Sequence, residues 1–204
     1  DEKLELSYQS SYSMLIFNVM NILYIHQYFK TPDEGGCVRS YHLAKGLVQN
    51  GHKVTIITTH NSKKSIDNID NIIIHYLRIP YQNEFGIFRR IRSFLAFVYH
   101  SKKLVKRINS NFDLAYVMTT PLTTGLIALH LKSFYNIPYY FEVGDLWPEV
   151  PIQMEIIKTG VLKKFLYRFE KKCYFHAQKV IALSPDIRNY VERVSPQTKV
   201  HLIP

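Results

Sequence analysis

The chain alternates between short apolar runs rich in β-formers and longer segments with helical periodicity. Residues 21–28 (N-I-L-Y-I-H-Q-Y) are almost continuously apolar, the pattern of a strand covered on both faces. Over 37–50, Val38, Tyr41, His42, Ala44, Leu47 and Val48 fall mostly on one helical face, and Gly51 stands at the C-terminal stop. Strands are predicted at 54–59 and 71–77, then a long amphipathic helix over 87–109. A strand at 113–120 leads to a helix opened by Pro121, where a missing N–H is no loss. The pattern continues with strands at 139–143 and 179–183, a helix at 160–177 and a last strand at 199–203. Ser184 is placed as the N-cap of a helix that begins at Pro185.

Strands alternating with helices in this way predict βαβ units: an α/β, Rossmann-like, doubly wound parallel sheet with right-handed crossovers. A length of 204 residues suits one domain, or one plus an appendage. With 47% apolar, 14% aromatic and 21% charged residues, the chain is too apolar and aromatic for a disordered one. No run of about 18 residues lacks polar breaks, so no spanning helix is predicted. Residues 1–19 read as an N-terminal extension: the short apolar run at 14–19 has neither a preceding cation nor a small-residue cleavage site. The folded domain then covers 20–204. It stops directly after a strand, as a truncated unit would.

Charge narrows the partners. Lys and Arg total 26 against 16 Asp and Glu, a net +10, which suits nucleotide phosphates, nucleic acid or an acidic membrane surface. Codon usage in an AT-rich genome would produce the same excess. No recognition motif supports a nucleic-acid module. Cys37 and Cys173 make no C-x-x-C pair and no metal spacing, so neither a disulfide nor a structural zinc is assigned. Without a cleavage signal, a reducing, cytoplasmic compartment is expected.

In open parallel sheets, ligands bind outside the carboxyl ends of the strands. That rule selects the loops at 29–36, 119–124 and 142–149. The first carries Gly35 and Gly36 just before a helix, where backbone N–H groups and the helix dipole suit a phosphate. Arg39, in the first helical turn, either faces that phosphate or pairs with Glu34. Neither G-x-G-x-x-G nor G-x-x-x-x-G-K-[ST] is present, which excludes the dinucleotide fingerprint and the P-loop. The third loop concentrates Glu142, Asp145, Trp147 and Glu149. Asp145 is the candidate base or hydroxyl ligand, with an N-cap role as its plain alternative. Glu142 and Glu149 are ranked below it, as salt-bridge or surface acids. His26, near the exit of the first strand, is either a core polar residue or a cleft-edge catalyst. His52 is read as structural.

Two helices combine aromatics with cations. Ile87, Ile91, Phe94, Leu95, Val98 and Val105 are expected to form one inward stripe, with Arg89, Arg92, Lys103, Lys106 and Arg107 opposite. Leu162, Phe165, Leu166, Phe169 and Cys173 are expected to do the same among Lys163, Lys164, Arg168, Lys171 and Lys172. Such faces are either solvated or suited to anionic lipid.

These segments occur in a telling order: M-N-I-L-Y-I-H-Q-Y-F, Gly35-Gly36 with Arg39, G-H-K-V-T-I-I-T from Gly51, D-L-W-P-E from Asp145, V-I-A-L-S from Val180 and V-H-L-I-P from Val200. Over about residues 20–204 the chain resembles the N-terminal domain of a group 1 (family 4) retaining glycosyltransferase of the GT-B fold. D-L-W-P-E is most similar to bacterial transferases of the WbuB type, which build O-antigen and capsule repeats. The resemblance implies an acceptor-side domain whose partner, a C-terminal domain holding the nucleotide-sugar, lies outside this chain, so 1–204 alone is expected to be inactive. It implies sugar transfer with retained configuration from a nucleotide-diphosphate sugar to a lipid-linked saccharide at the inner face of the cytoplasmic membrane. No cofactor and no obligatory metal are implied. Gly35 and Gly36, with Arg39 beside them, would lie near the donor diphosphate. Asp145 matches the family's cleft position; by their own place at the carboxyl edge, Asp145 and His26 are the catalytic candidates, with Glu142, Trp147 and Glu149 on the acceptor side. Gly144 stands where family members often carry a histidine before the Asp. A nucleotide-sugar 2-epimerase uses the same two-domain frame and remains the alternative.

Overall fold

The computed structural model describes residues 19–36, 38–61, 65–82, 84–108, 111–153, 157 and 159–204. The readings of 1–18, Cys37 and Asn109 lie outside the described residues. The strands are β1 (Asn21–Ile25), β2 (Lys53–His60), β3 (Ile66–Ile69), β4 (Ile72–Arg78), β5 (Leu114–Met118), β6 (Tyr139–Val143), β7 (Lys179–Ala182) and β8 (Val200–Leu202). The helices are α1 (Arg39–Gln49), α2 (Ile87–Ile108), α3 (Gly125–Tyr135), α4 (Glu149–Gln153), α5 (Gly160–His176) and α6 (Pro185–Val194).

All eight strands join one sheet, in the order β3-β4-β2-β1-β5-β6-β7-β8. Every neighbouring pair is parallel except β3 with β4. The antiparallel edge strand departs from the predicted all-parallel sheet. Its signal is the Asp70-Asn71 pair, which sits at φ 52° and 63° between the paired residues Ile69 and Ile72. Asp and Asn tolerate the left-handed region that a two-residue hairpin needs. Glu149–Gln153 is a further short helix not predicted from periodicity.

The pleat sorts each central strand between two cores. Leu23, Ile25, Ala115, Val117, Phe141 and Val143 face a layer built from α2, α3, α5 and α6. Ile22, Tyr24, Val54, Ile56, Ile72 and Ile74 face the side covered by α1. The Val, Leu, Ile and Phe side chains among these, buried to 0–2% exposure, each contribute about 1.5–3 kcal/mol. Helices on both faces explain why these strands read as continuous apolar runs rather than alternating ones.

On the two amphipathic helices Val98, Val105 and Cys173 are buried as expected, but the rest of each stripe turns differently. On α2 the buried residues are Ser93, Phe97, Val98, Ser101 and Val105. Ile87, Ile91 and Leu95 are exposed, as is Tyr99. The row 93–97–101–105 is displaced two positions from 87–91–95–99, about 200° around the helix. Counting large apolar side chains passes over Ser93 and Ser101, which occupy the sheet-facing row. On α5 the structure buries Glu170, Cys173 and Tyr174, while Leu162 and Phe165 are exposed. Among the described residues, no helix is long and apolar enough to cross a membrane.

Candidate functional site

β1, β5 and β6 stand side by side and parallel, so their carboxyl ends and following loops share one edge of the sheet. His26 follows β1 directly and is buried, its backbone N–H donating to Ile57 O at 3.2 Å. The ring lies between Tyr24 and Phe29, at centroid distances of 6.4 and 6.5 Å. Nδ1 has no hydrogen-bond partner, and burial pulls the imidazole down to about 4, so it is neutral at pH 7.

Glu142 occupies the fourth position of β6 and its side chain is fully buried. The Tyr116 hydroxyl donates a short hydrogen bond to Oε2, and Arg39 Nη2 approaches the same oxygen at 3.4 Å. Burial raises the Glu142 carboxyl above its ordinary value; the Tyr116 bond and the Arg39 charge offset only part of that. Oε1 has no partner. Arg39 also donates to the Ile203 carbonyl at 3.1 Å. Its guanidinium thus ties the first turn of α1 to β6 and to the chain beyond β8. Its acid is Glu142, not Glu34, and Glu142 is a buried group rather than a surface acid.

The loop ahead of α1 is built by a reciprocal cap. Glu34 Oε2 accepts from the Thr31 N–H at 2.9 Å and the Thr31 hydroxyl at 3.2 Å, while Oε1 lies 3.0 Å from His60 Nε2. Burial works to raise the Glu34 carboxyl. The Thr31 N–H, the Lys30 charge, the Thr31 hydroxyl and His60 together hold it below the ordinary value. Gly35 follows at φ 69°, ψ 175°, a region essentially closed to other residues, and Gly36 sits at φ 90°.

Asp145 is exposed at the third loop, where the Thr120 hydroxyl donates to Oδ2 at 3.4 Å. It begins no helix; α4 starts four residues later, at Glu149. His26 is not among its hydrogen-bond partners, and β5 stands between their strands. Trp147 meets Phe94 of α2 edge-on at 6.4 Å. Phe94 stacks on Tyr81 at 6.1 Å, and Tyr81 contacts Tyr28 at 4.8 Å. Four rings from four chain segments therefore form one row. Glu149 is turned away into a helix contact: the Tyr167 hydroxyl donates to it at 2.5 Å and Gln153 at 2.9 Å.

Beside that row opens a cavity of about 860 Å³ whose wall includes Tyr28, Tyr81, Lys30, His60, Gln82 and Glu84. Flat rings with amide, carboxylate and imidazole groups around them suit the apolar faces and hydroxyl rim of a sugar. Sequence reasoning missed Tyr81, His60 and Glu84. Only the crowding of Tyr81 and Phe85 after a strand's carboxyl end hinted at them. Among the described residues no group of three or more His, Cys, Asp or Glu could hold a metal ion. His52 is structural as expected, its Nδ1 accepting from the Met20 N–H at 3.1 Å.

Comparison with known proteins places this geometry. No curated protein matches the sequence. Among solved structures, sucrose-phosphate synthase from Thermosynechococcus elongatus superposes with a TM-score of 0.66 at 16% identity, over 91% of this chain and 48% of that one. The catalytic domain of starch synthase IV from Arabidopsis thaliana, bound to ADP and acarbose, gives 0.62 at 13% identity, over 91% and 51%. A Glycyrrhiza uralensis protein complexed with glycyrrhetinic acid 3-O-monoglucuronide gives 0.56 at 10% identity, over 92% and 49%. The chain thus spans about half the length of these structures, and the likeness is one of fold: a GT-B Rossmann-like domain. The Glycosyltransferase Family 4 model matches residues 35–204. That match opens at Gly35, in the glycine loop, and takes in every strand after β1, so the chain belongs to glycosyltransferase family 4.

Proposed function

We propose that this chain is the acceptor-side domain of a retaining glycosyltransferase of the WbuB kind. It would move a sugar from a nucleotide-diphosphate sugar to a lipid-linked saccharide in bacterial cell-surface polysaccharide synthesis. The observation that carries the reading is the aromatic-walled cavity opening at the sheet edge that also holds the glycine loop, Glu142 and Asp145. Tyr28 and Tyr81 would stack on the acceptor sugar while Gln82 and Glu84 take its hydroxyls. Gly35 and Gly36 would admit the donor diphosphate, and Arg39 would keep that loop in register with β6. Asp145, exposed and close to Thr120, would orient the attacking hydroxyl. His26, buried and neutral, would offer a hydrogen bond rather than a charge.

No protein nucleophile is needed in this scheme. The acceptor oxygen bonds the anomeric carbon as the bond to the diphosphate breaks, and the leaving phosphate takes the hydroxyl proton. The protein supplies position and charge stabilisation. The nucleotide would be held largely by a second domain. The cationic, partly apolar outer face of α2 fits work at an anionic membrane from the cytoplasmic side.

The test uses the full-length protein with labelled nucleotide-sugars and a lipid-linked saccharide. Transfer that keeps the anomeric configuration supports the reading, with Y81A raising acceptor KM and D145N lowering kcat. Interconversion of free nucleotide-sugars without any acceptor would replace it with an epimerase.

A further inference from the structure

A second groove lies beside the first, on the other side of the segment that joins β4 to α2. It measures about 470 Å³, and its wall includes Arg78, Arg89, Arg92, His100 and Ser93. Tyr81, Gln82 and Glu84 of the same segment face the larger cavity, while Ile79, Pro80 and Phe85 line this one. Among the described residues no carboxylate lines the second groove, and α2 itself contains none. Among the described residues, none of the three arginines forms an ion pair. Ser93 is 4% exposed, and its hydroxyl has no hydrogen-bond partner.

Three arginines lining one groove without an acid make its potential positive, which favours an anion there. A buried hydroxyl without a partner also costs stability on its own. Both features are relieved by one ligand type: a compact anion with several strong acceptor oxygens. Guanidinium forks match phosphate oxygens in pairs, and a serine hydroxyl adds a single donor. The wall is also braced. Arg90 donates to the Phe85 carbonyl at 3.0 Å, and Arg89 lies over the Phe85 ring at 5.7 Å.

We propose that this groove is a binding site for a phosphate or diphosphate group. The proposal stands on the groove alone and does not need the sugar-transfer reading. The phosphate could be free or belong to a lipid, because exposed Ile87, Phe88, Ile91 and Leu95 continue along the same helix.

The test measures calorimetric titration of the chain with inorganic phosphate and with pyrophosphate at constant ionic strength. Sedimentation with phosphatidylglycerol vesicles, against pure phosphatidylcholine, runs in parallel. The variants are R89A/R92A, S93A and, as a control further along α2, K103A/K106A. Arg89, Arg92, Lys103 and Lys106 are exposed, so these variants should fold, which circular dichroism checks. The expected result is one saturable site, weakened about tenfold or more in R89A/R92A, less in S93A, and nearly unchanged in K103A/K106A. Salt screens exposed charges beyond about 8 Å, so the control lysines should add little. Saturable binding of pyrophosphate with this pattern identifies a free anion as ligand. Binding only to phosphatidylglycerol vesicles, with the same pattern, identifies a lipid headgroup. Absent or unsaturable binding, or equal losses in both double variants, overturns the site and leaves a solvated cationic face.

Discussion

Replacing Glu170 with Gln should stabilise the protein at alkaline pH and leave it nearly unchanged at acid pH. Glu170 is fully buried on α5, between the Tyr174 hydroxyl at 2.9 Å and the Tyr190 hydroxyl at 3.1 Å. Both hydroxyls donate to it, and no cation joins them among the described residues. Burial pushes its carboxyl from 4.5 up to about 7, against the pull of the two hydrogen bonds. The folded chain therefore holds a proton that the unfolded chain releases between these values. Stability falls as pH rises through that window and levels off above it. At 1.36 kcal/mol per pH unit, the full displacement is worth about 3 kcal/mol. Glutamine keeps an acceptor for one tyrosine and removes the charge. The expected gain at pH 8.5 is about 1–3 kcal/mol, a rise in Tm of several degrees for a domain of this size. Thermal melts of both proteins from pH 5 to 8.5 give the comparison. Titrations common to both, such as that of His26, cancel in the difference. A difference that stays constant across the range would refute the reasoning, because it would show that Glu170 does not change its protonation there.

Other outcomes follow from the same contacts. R39A should cost about 3 kcal/mol in urea unfolding, because it leaves Glu142 buried without its cation, and R39A/E142Q should recover part of that loss. The His26 ring should remain neutral at pH 5.5 by NMR. Because its folded value lies near 4, stability should be lost as pH falls from about 6.5 toward 4; a ring that titrates near 6.5 would contradict its burial. G125A should lower stability by about 1–3 kcal/mol, since a Cβ there would lie 2.5 Å from Cys173 Sγ in the α3–α5 contact; an unchanged Tm would show that this contact yields freely.

Much of the frame was legible because its causes are local. Strand and helix periodicities differ, and 139–143 coincides with β6. Ser184 caps α6 through the Ile187 N–H, as the Ser-Pro pair signals. Of the three loops that the carboxyl-edge rule selected, the one at 29–36 borders the cavity, through Phe29 and Lys30. The site itself was less legible, because its groups meet across long stretches of chain. Glu142 reads as a surface acid at the end of a strand; it is buried because Arg39, 103 residues away, and Tyr116 close over it. The row of Tyr28, Tyr81, Phe94 and Trp147 has no sequence spacing at all. On α2, hydrophobicity ranked the row of Ile87, Ile91 and Leu95 above the one holding Ser93 and Ser101. The sequence by itself thus determined the type and order of most elements, since these depend on period and turn chemistry. Tertiary structure alone decided which face of each helix is buried and which charges find partners. Those outcomes depend on the sheet that each element meets, and no local pattern encodes it.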